Sequence, residues 1–157
     1  MHRWTKIKHK LENEYLAENL RGHITYFCTS YSRCPDHEGR AAILLDNKEI
    51  VSGGYYKQWS NAHLVPDNET FEERMNTTAV QLGMFDNQYF YKAFEEFDNQ
   101  SIEKSLASTN MLIRIFAVLD RRVGKRTLSK IGENIKNEPE IFRTFYNIRV
   151  NIISATK

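Results

Sequence analysis

The chain has 157 residues, of which 41% are apolar and 12% aromatic, and it carries a formal net charge of +2. This length and apolar content allow a hydrophobic core and exclude a disordered chain. The longest apolar runs, 41–45 and 115–119, are too short to span a bilayer, and the first ten residues contain no signal-like apolar stretch. We therefore expect a single domain over residues 1–157, located in the cytoplasm and with no membrane partner.

The first predicted element is a helix that runs from residue 4 to about residue 20. Trp4, Ile7, Leu11 and Tyr15 follow one another at three- and four-residue spacing, which places them on one helix face. Gly22 is well suited to end this helix in a left-handed conformation. The apolar face must be buried against the rest of the domain if the helix is to be stable.

Three strands are predicted next, because β-branched and aromatic residues replace the helical pattern. The segments are 23–33, 40–46 and 49–57, and the last two are joined at Asn47-Lys48, a tight hairpin position. Strands that follow each other so closely favour a three-stranded antiparallel meander.

The remainder of the chain, after a connector at 58–66, has helical periodicity. Thr70 and Glu73 form a capping box for one helix, and Ser101 is predicted to cap a long helix that contains Met111. Further helical stripes cover 90–97, 128–135 and, after Pro139, 141–152. The predicted fold is therefore α+β, a small antiparallel meander packed against about five α-helices, with the N-terminal helix first.

Positive charge accumulates where the Met111 helix is expected to end. Arg121 and Arg122 are predicted to lie in its last turn, where the helix dipole favours cations, with Gly124 ending it in a left-handed conformation. Lys125 and Arg126 follow at once, and Asp120 is the one acid close by in sequence. Such a cluster is typical of a site for a phosphate, a carboxylate or an acidic partner, although acids within the fold could also neutralise it.

Charge is also unevenly distributed along the chain as a whole. Residues 61–100 contain 2 basic and 8 acidic residues, whereas residues 101–157 contain 11 basic and 5 acidic residues. This asymmetry indicates either internal complementarity or two opposed faces for partners.

The two cysteines give no evidence of a metal site or a nucleophile. Four metal-ligand side chains occur within five positions of the segment 34–38, but no second segment supplies ligands at a recognisable spacing, so we expect a hairpin turn and no metal there. These four residues are Cys34, Asp36, His37 and Glu38. Cys28 lies in a predicted strand and is expected to be a small buried side chain. No phosphate-binding glycine loop or hydrolase motif occurs, and no cofactor is expected.

Nucleic-acid binding is possible in two places. Trp59 and its neighbouring tyrosines at 55–56 could stack on bases, although core packing explains them equally well. Residues 113–137 permit a helix-turn-helix with Gly124 in the turn. Its second helix offers few side chains that read bases, so contact with phosphates is the better interpretation of this segment.

Three segments of the chain resemble a family of short bacterial proteins described as conserved and hypothetical. They are RWTKIKHKL near the N-terminus, DHEGRAAILLDNKEI in the hairpin region, and DRRVGKRTL followed by FYNIR. The resemblance spans nearly the whole chain and implies no particular activity or cofactor. Ala42 departs from the aromatic residue that the resemblance leads us to expect after EGRA, which weakens the idea of an aromatic platform on the hairpin.

Two functional hypotheses follow. The first is a non-enzymatic binding module whose basic cluster engages an anionic partner, either a protein or a nucleic acid. The second is an enzyme that acts on a small anionic substrate, with the same cations as the clamp and a His or Glu near Arg40 as general base. A deep pocket that joins Arg40, Asp120 and either His37 or His63 would favour it. The sequence does not determine the oligomeric state. The candidate site residues are Arg40, Trp59, Asp120, Arg121, Arg122, Lys125 and Arg126.

Overall fold

The computed structural model describes residues 4–30, 39–54 and 87–155, and within them the side chains of 4–29, 39–51 and 87–152. The order of elements is helix, three strands and a run of helices, so the α+β prediction is confirmed. Within the described part of the chain, no helix is both long enough and apolar enough to cross a bilayer. The predicted Thr70 capping box, Trp59 and the segment 34–38 lie outside the described residues.

The N-terminal helix is partly an α-helix and partly a π-helix, and it ends earlier than predicted. The α-helix α1 spans Trp4–His9 and continues as a π-helix over Lys10–Tyr15, followed by a short 3-10 helix at Glu18–Leu20. Leu16 is already extended, with φ −61° and ψ 137°, while Gly22 does adopt a left-handed φ of 84°. The extended residue between the two helices is what allows the chain to pair with a distant turn, as described below.

The sheet is the predicted meander, with antiparallel strands in the order β1 (Ile24–Ser30), β2 (Gly39–Leu45) and β3 (Lys48–Gly54). Its hairpin turn lies at Asp46-Asn47, one residue before the predicted position. Both residues have positive φ values, 49° and 68°, as a two-residue turn that follows the twist of the strands requires.

The free edge of β1 is covered by the N-terminal helix. The backbone N–H of Tyr26 donates to the Glu12 carboxylate at 2.8 Å, and the Lys8 ammonium donates to the Tyr26 carbonyl at 2.9 Å. Lys8 and Glu12 also form an ion pair with each other. These side chains occupy both backbone hydrogen-bonding groups of Tyr26, which on an edge strand would otherwise be open to pairing with another chain.

Six α-helices are present among the described residues, and one of them forms the centre of the core. The later helices are α2 (Asn87–Asp98), α3 (Ile102–Leu106), α4 (Met111–Val118), α5 (Lys125–Glu133) and α6 (Glu140–Ala155). Helix α2 packs on the sheet, and α4 packs against α2, α3 and α6. Seven of the eight residues of α4 are buried, the pattern of a helix enclosed on all sides.

The long helix predicted after Ser101 is in fact two helices. Ser101 caps only α3, and Asn110 caps α4, accepting a hydrogen bond from the N–H of Leu112 at 3.0 Å. The prediction that α4 continues through Arg122 to a left-handed Gly124 is wrong. The helix ends at Val118, and Gly124 is extended, with φ −88° and ψ 177°, as the residue that begins α5.

Aromatic rings fill the space between the sheet and the helices. The Phe116 ring lies 5.3 Å from Phe90, 5.5 Å from Phe97 and 5.8 Å from Tyr26, measured between centroids, in edge or tilted orientations that aromatic rings favour. All four side chains are buried. Cys28 is also buried, as predicted, and interacts with Tyr91.

Candidate functional site

The turn after α4 is held by pairing with the extended residues that follow the π-helix. The N–H of Arg121 donates to the Tyr15 carbonyl at 2.7 Å, and the N–H of Ala17 donates to the Leu119 carbonyl at 3.0 Å. These bonds form a short antiparallel bridge between Leu16 and Asp120. The bridge ends α4 and brings residues about a hundred positions apart in sequence into one site.

Asp120 lies at the centre of this turn and is completely buried. Its carboxylate accepts three hydrogen bonds from Arg122: from the backbone N–H at 2.7 Å, from Nε at 3.0 Å and from Nη2 at 2.8 Å. This hydrogen-bonded carboxylate is the main cause of the raised pKa of Arg122. Asp120 therefore holds Arg122 in place and does not itself face a ligand.

Arg122 is further held by stacking on two aromatic rings. Its guanidinium carbon lies 4.9 Å from the Tyr15 ring centroid and 5.7 Å from that of Phe97. The Tyr15 hydroxyl in turn donates to Asp98, which also pairs with Lys10 at 3.0 Å. Since 39% of the Arg122 side chain remains exposed, a guanidinium fixed on one side still presents its other side to solvent.

Arg149 of α6 reaches the same turn from a third direction. Its Nη1 donates to the Asp120 carbonyl at 2.9 Å and its Nη2 donates to the Val123 carbonyl at 2.8 Å. Only 5% of the residue is exposed, and its buried Nε has no hydrogen-bond partner among the described residues. Burial lowers the pKa of Arg149, and the negative charge of Asp120 opposes that change.

Sequence reasoning missed Arg149 as a site residue. Its position was visible, however, because Phe142, Phe145 and Arg149 follow at three- and four-residue spacing on the buried face of α6. An arginine on such a face needs partners within the fold. What the sequence could not supply is the identity of those partners, which are backbone carbonyls of the distant turn.

Three arginines surround an open groove of about 520 Å³ between the turn and the short 3-10 helix. We call it the arginine groove. It is lined by Ala17, Glu18, Asn19, Arg121, Arg122 and Arg149. Counting the buried Asp120 with the Glu18 carboxylate, three positive charges face two negative charges, and the groove retains one net positive charge.

Three exposed cations follow one another closely along the chain at this turn, and the first of them also lines the groove. Arg121, Lys125 and Arg126 are exposed, and their side chains make no hydrogen bond or ion pair with another described residue. We call these three residues the basic surface. Lys125 and Arg126 form the first turn of α5, whose first residues receive no side-chain cap from Gly124. The predicted cluster is thus divided, because Arg122 is paired internally and the other three cations are not.

Arg40 lies on a different surface. Strand alternation points Ala41 and Ile43 into the core, which places Arg40 on the opposite face of the sheet. There it forms an ion pair with Glu49, and its guanidinium lies 5.5 Å from the centroid of the exposed Phe27 ring. Arg40 is therefore not brought together with the cluster around Asp120.

In the described part of the chain, no group of three or more His, Cys, Asp or Glu side chains is placed so that it could hold a metal ion. Residues 34–38, which contain the four metal-ligand side chains noted in the sequence, are outside it. His37, His63 and Trp59 are outside it as well.

Comparison with known proteins identifies the family. Residues 3–150 match the model of the SF0329 protein family. The chain belongs to this family. No curated protein and no solved structure matches the chain significantly. The two parts of the chain that form the site are the N-terminal segment and the Asp120–Arg149 region. Both lie within the residues that match the SF0329 family.

Proposed function

We propose that this SF0329 family member is a non-enzymatic binding module, which uses the basic surface to engage an anionic partner, either a protein or a nucleic acid. The observation that carries the proposal is that Arg121, Lys125 and Arg126 are exposed together and unpaired with other described residues. Exposed cations attract an anionic partner electrostatically. Salt screens this attraction and reduces the distance over which it acts.

The position of these cations is poor for stability, which supports a role in binding. Lys125 and Arg126 occupy the first turn of α5, where the helix dipole favours anions, and the first turn contains no acidic residue. Each misplaced cation costs about 0.3–1 kcal/mol at low ionic strength. An anionic partner at this surface would be attracted both by these cations and by the N-terminus of α5.

The geometry offers little to the alternative enzyme hypothesis. That hypothesis placed Arg40 and Asp120 in one deep pocket, but Asp120 is fully buried behind Arg122 and Arg40 lies on the far face of the sheet. The arginine groove is open to solvent, and none of its lining residues is a histidine.

Chromatography on immobilised heparin, a generic polyanion, tests the proposal. The triple variant Arg121→Glu/Lys125→Glu/Arg126→Glu should lose retention at low salt, whereas the wild type should bind and elute as salt rises. The matched control is Lys48→Glu/Lys92→Glu/Lys104→Glu, which changes net charge equally at exposed positions elsewhere. The control should elute close to the wild type.

Equal loss of retention in the triple variant and the control would refute the proposal, because net charge alone would then explain binding. Retention that does not change in the triple variant would refute it as well. Circular dichroism of each variant verifies that the fold is intact before the columns are compared.

A further inference from the structure

We infer that the arginine groove seats a backbone phosphodiester of a nucleic-acid duplex, while Lys125 and Arg126 contact the neighbouring phosphates. This inference rests on the proposed function and names its partner. It depends on three features of the site: the buried charge of Arg149, the net charge of the groove and the absence, among the described residues, of apolar anchors around it.

The first feature is a buried cation without a carboxylate of its own. Arg149 is bonded to two carbonyl oxygens, and the nearby Asp120 carboxylate is already engaged by three donors of Arg122. A buried guanidinium in this situation is stabilised by any anion that settles in the groove it lines. Its unpartnered Nε is a second sign that the charge is incompletely satisfied.

The second feature is the amount of charge that the groove can neutralise. Three arginines, Asp120 and Glu18 leave one net positive charge. A phosphodiester carries one negative charge, whereas a phosphomonoester carries about 1.5 to 2 at neutral pH. Glu18 would therefore repel the second charge of a monoester, so the diester is the better match.

The third feature is that the described residues around the groove lack the apolar anchors on which protein partners and single-stranded nucleic acids usually bind. Protein interfaces depend on buried apolar and aromatic residues at their centre, and single-stranded nucleic acids are held by stacking on exposed rings. Among the described residues the one large exposed apolar side chain is Phe27, which lies on the sheet beneath Arg40. The arginine groove is lined by polar and charged side chains together with Ala17, which suits the phosphate backbone of a duplex.

The helix that follows the turn indicates how such a duplex would be recognised. The exposed residues of α5 beyond Arg126 are Ser129, Lys130 and Glu133. Lys130 is the one residue of these three whose side chain commonly reads a base through paired hydrogen bonds. We therefore expect binding through phosphates with little dependence on sequence.

Fluorescence anisotropy with a labelled duplex of mixed sequence tests the inference, with labelled poly-glutamate as a second probe. Three phosphates, one in the arginine groove and one each at Lys125 and Arg126, predict that log K falls with log salt with a slope of about −2.7. Arg121→Ala should make this slope shallower by about 0.9. Glu18→Gln should tighten duplex binding about two- to fivefold, because it removes a negative charge from the groove wall.

The outcomes separate this inference from the proposed function. If poly-glutamate binds through the basic surface and the duplex does not, the partner is an acidic protein and only the inference fails. If neither probe binds, both fail. Duplex binding that Glu18→Gln leaves unchanged would place the phosphates outside the groove and also overturn the inference.

Arg149→Lys provides a further check on the groove itself, since it keeps the charge and loses the paired bonds to two carbonyls. We expect at least about threefold weaker duplex binding, with the slope unchanged. Because this substitution can impair folding, Glu18→Gln and Arg121→Ala, both at exposed positions, decide the outcome if it does.

Discussion

Replacement of Asp120 by asparagine tests the centre of the site while nearly preserving the volume of the side chain. The carboxylate accepts three hydrogen bonds from Arg122 and lies beside the buried Arg149. Asparagine retains one oxygen, which can still accept from the backbone N–H of Arg122. Its NH2 group, however, would face the guanidinium, donor against donor.

The cost can be estimated from the burial of each partner. Removing one member of a buried ion pair costs about 3–5 kcal/mol. Here 39% of the Arg122 side chain is exposed, and water can solvate it in the variant. We therefore reduce the contribution of the unpaired Arg122 to the loss of stability to about 2 kcal/mol. Arg149 has no such access, and losing the adjacent negative charge adds about 1 kcal/mol. We therefore expect Asp120→Asn to lower the free energy of unfolding by about 3 kcal/mol.

Urea denaturation followed by circular dichroism measures this loss, with Asp46→Asn, at an exposed carboxylate that pairs with His23, as the control. The control should change stability by less than about 0.5 kcal/mol. In a double-mutant cycle, Arg122→Met should cost much less in the Asp120→Asn background than in the wild type. A loss below about 1 kcal/mol for Asp120→Asn would show that the pair acts as a surface ion pair and would refute the reasoning.

Three further predictions concern the rest of the fold. Gly132→Ala should cost about 1–3 kcal/mol in urea denaturation, because its Cβ would overlap with the Tyr146 hydroxyl that donates to the Leu128 carbonyl, and adding Tyr146→Phe should recover most of the loss. Phe116→Ala should cost about 3–5 kcal/mol in the same assay, since it empties the centre of the aromatic cluster. Burial, followed by the hydrogen bond to Asp98, raises the pKa of Tyr15 to about 12 from its ordinary value of 10.0. The neutral phenol therefore stabilises the fold below pH 10, and this contribution is lost as the pH rises towards 12. Thermal melts should fall less steeply over that range in Tyr15→Phe than in the wild type.

Local patterns predicted most of the described elements, but they joined α3 and α4 into one helix and misplaced several ends. β-Branched and aromatic residues predicted the three strands, and the apolar spacing of 90–97 predicted the buried face of α2. The hairpin was misplaced by one residue, since Asp46 and Asn47, which both tolerate positive φ, already form the two-residue turn. Leu45 then pairs with Lys48, so Lys48 belongs to β3 and not to the turn.

The end of α4 was predicted incorrectly for a non-local reason. A glycine after a run of basic residues is a common helix stop, and Gly124 fits that rule. The helix instead ends at Val118 because Leu119 and Arg121 form backbone bonds with Ala17 and Tyr15. No pattern within residues 111–131 encodes a partner that lies a hundred residues earlier.

The candidate site shows the same limit in its charges. The sequence contains a local surplus of cations around one acid, but adjacency along the chain made all four appear equivalent. Folding pairs Arg122 with Asp120 while leaving Arg122 partly exposed, and it brings the buried Arg149 from α6 to the same turn. The site therefore contains five positive charges, one more than the four that are adjacent in the sequence. These five charges differ in their exposure to solvent. Since accessible charge governs the salt dependence of binding and buried charge governs stability, the two assays above measure separate parts of one cluster.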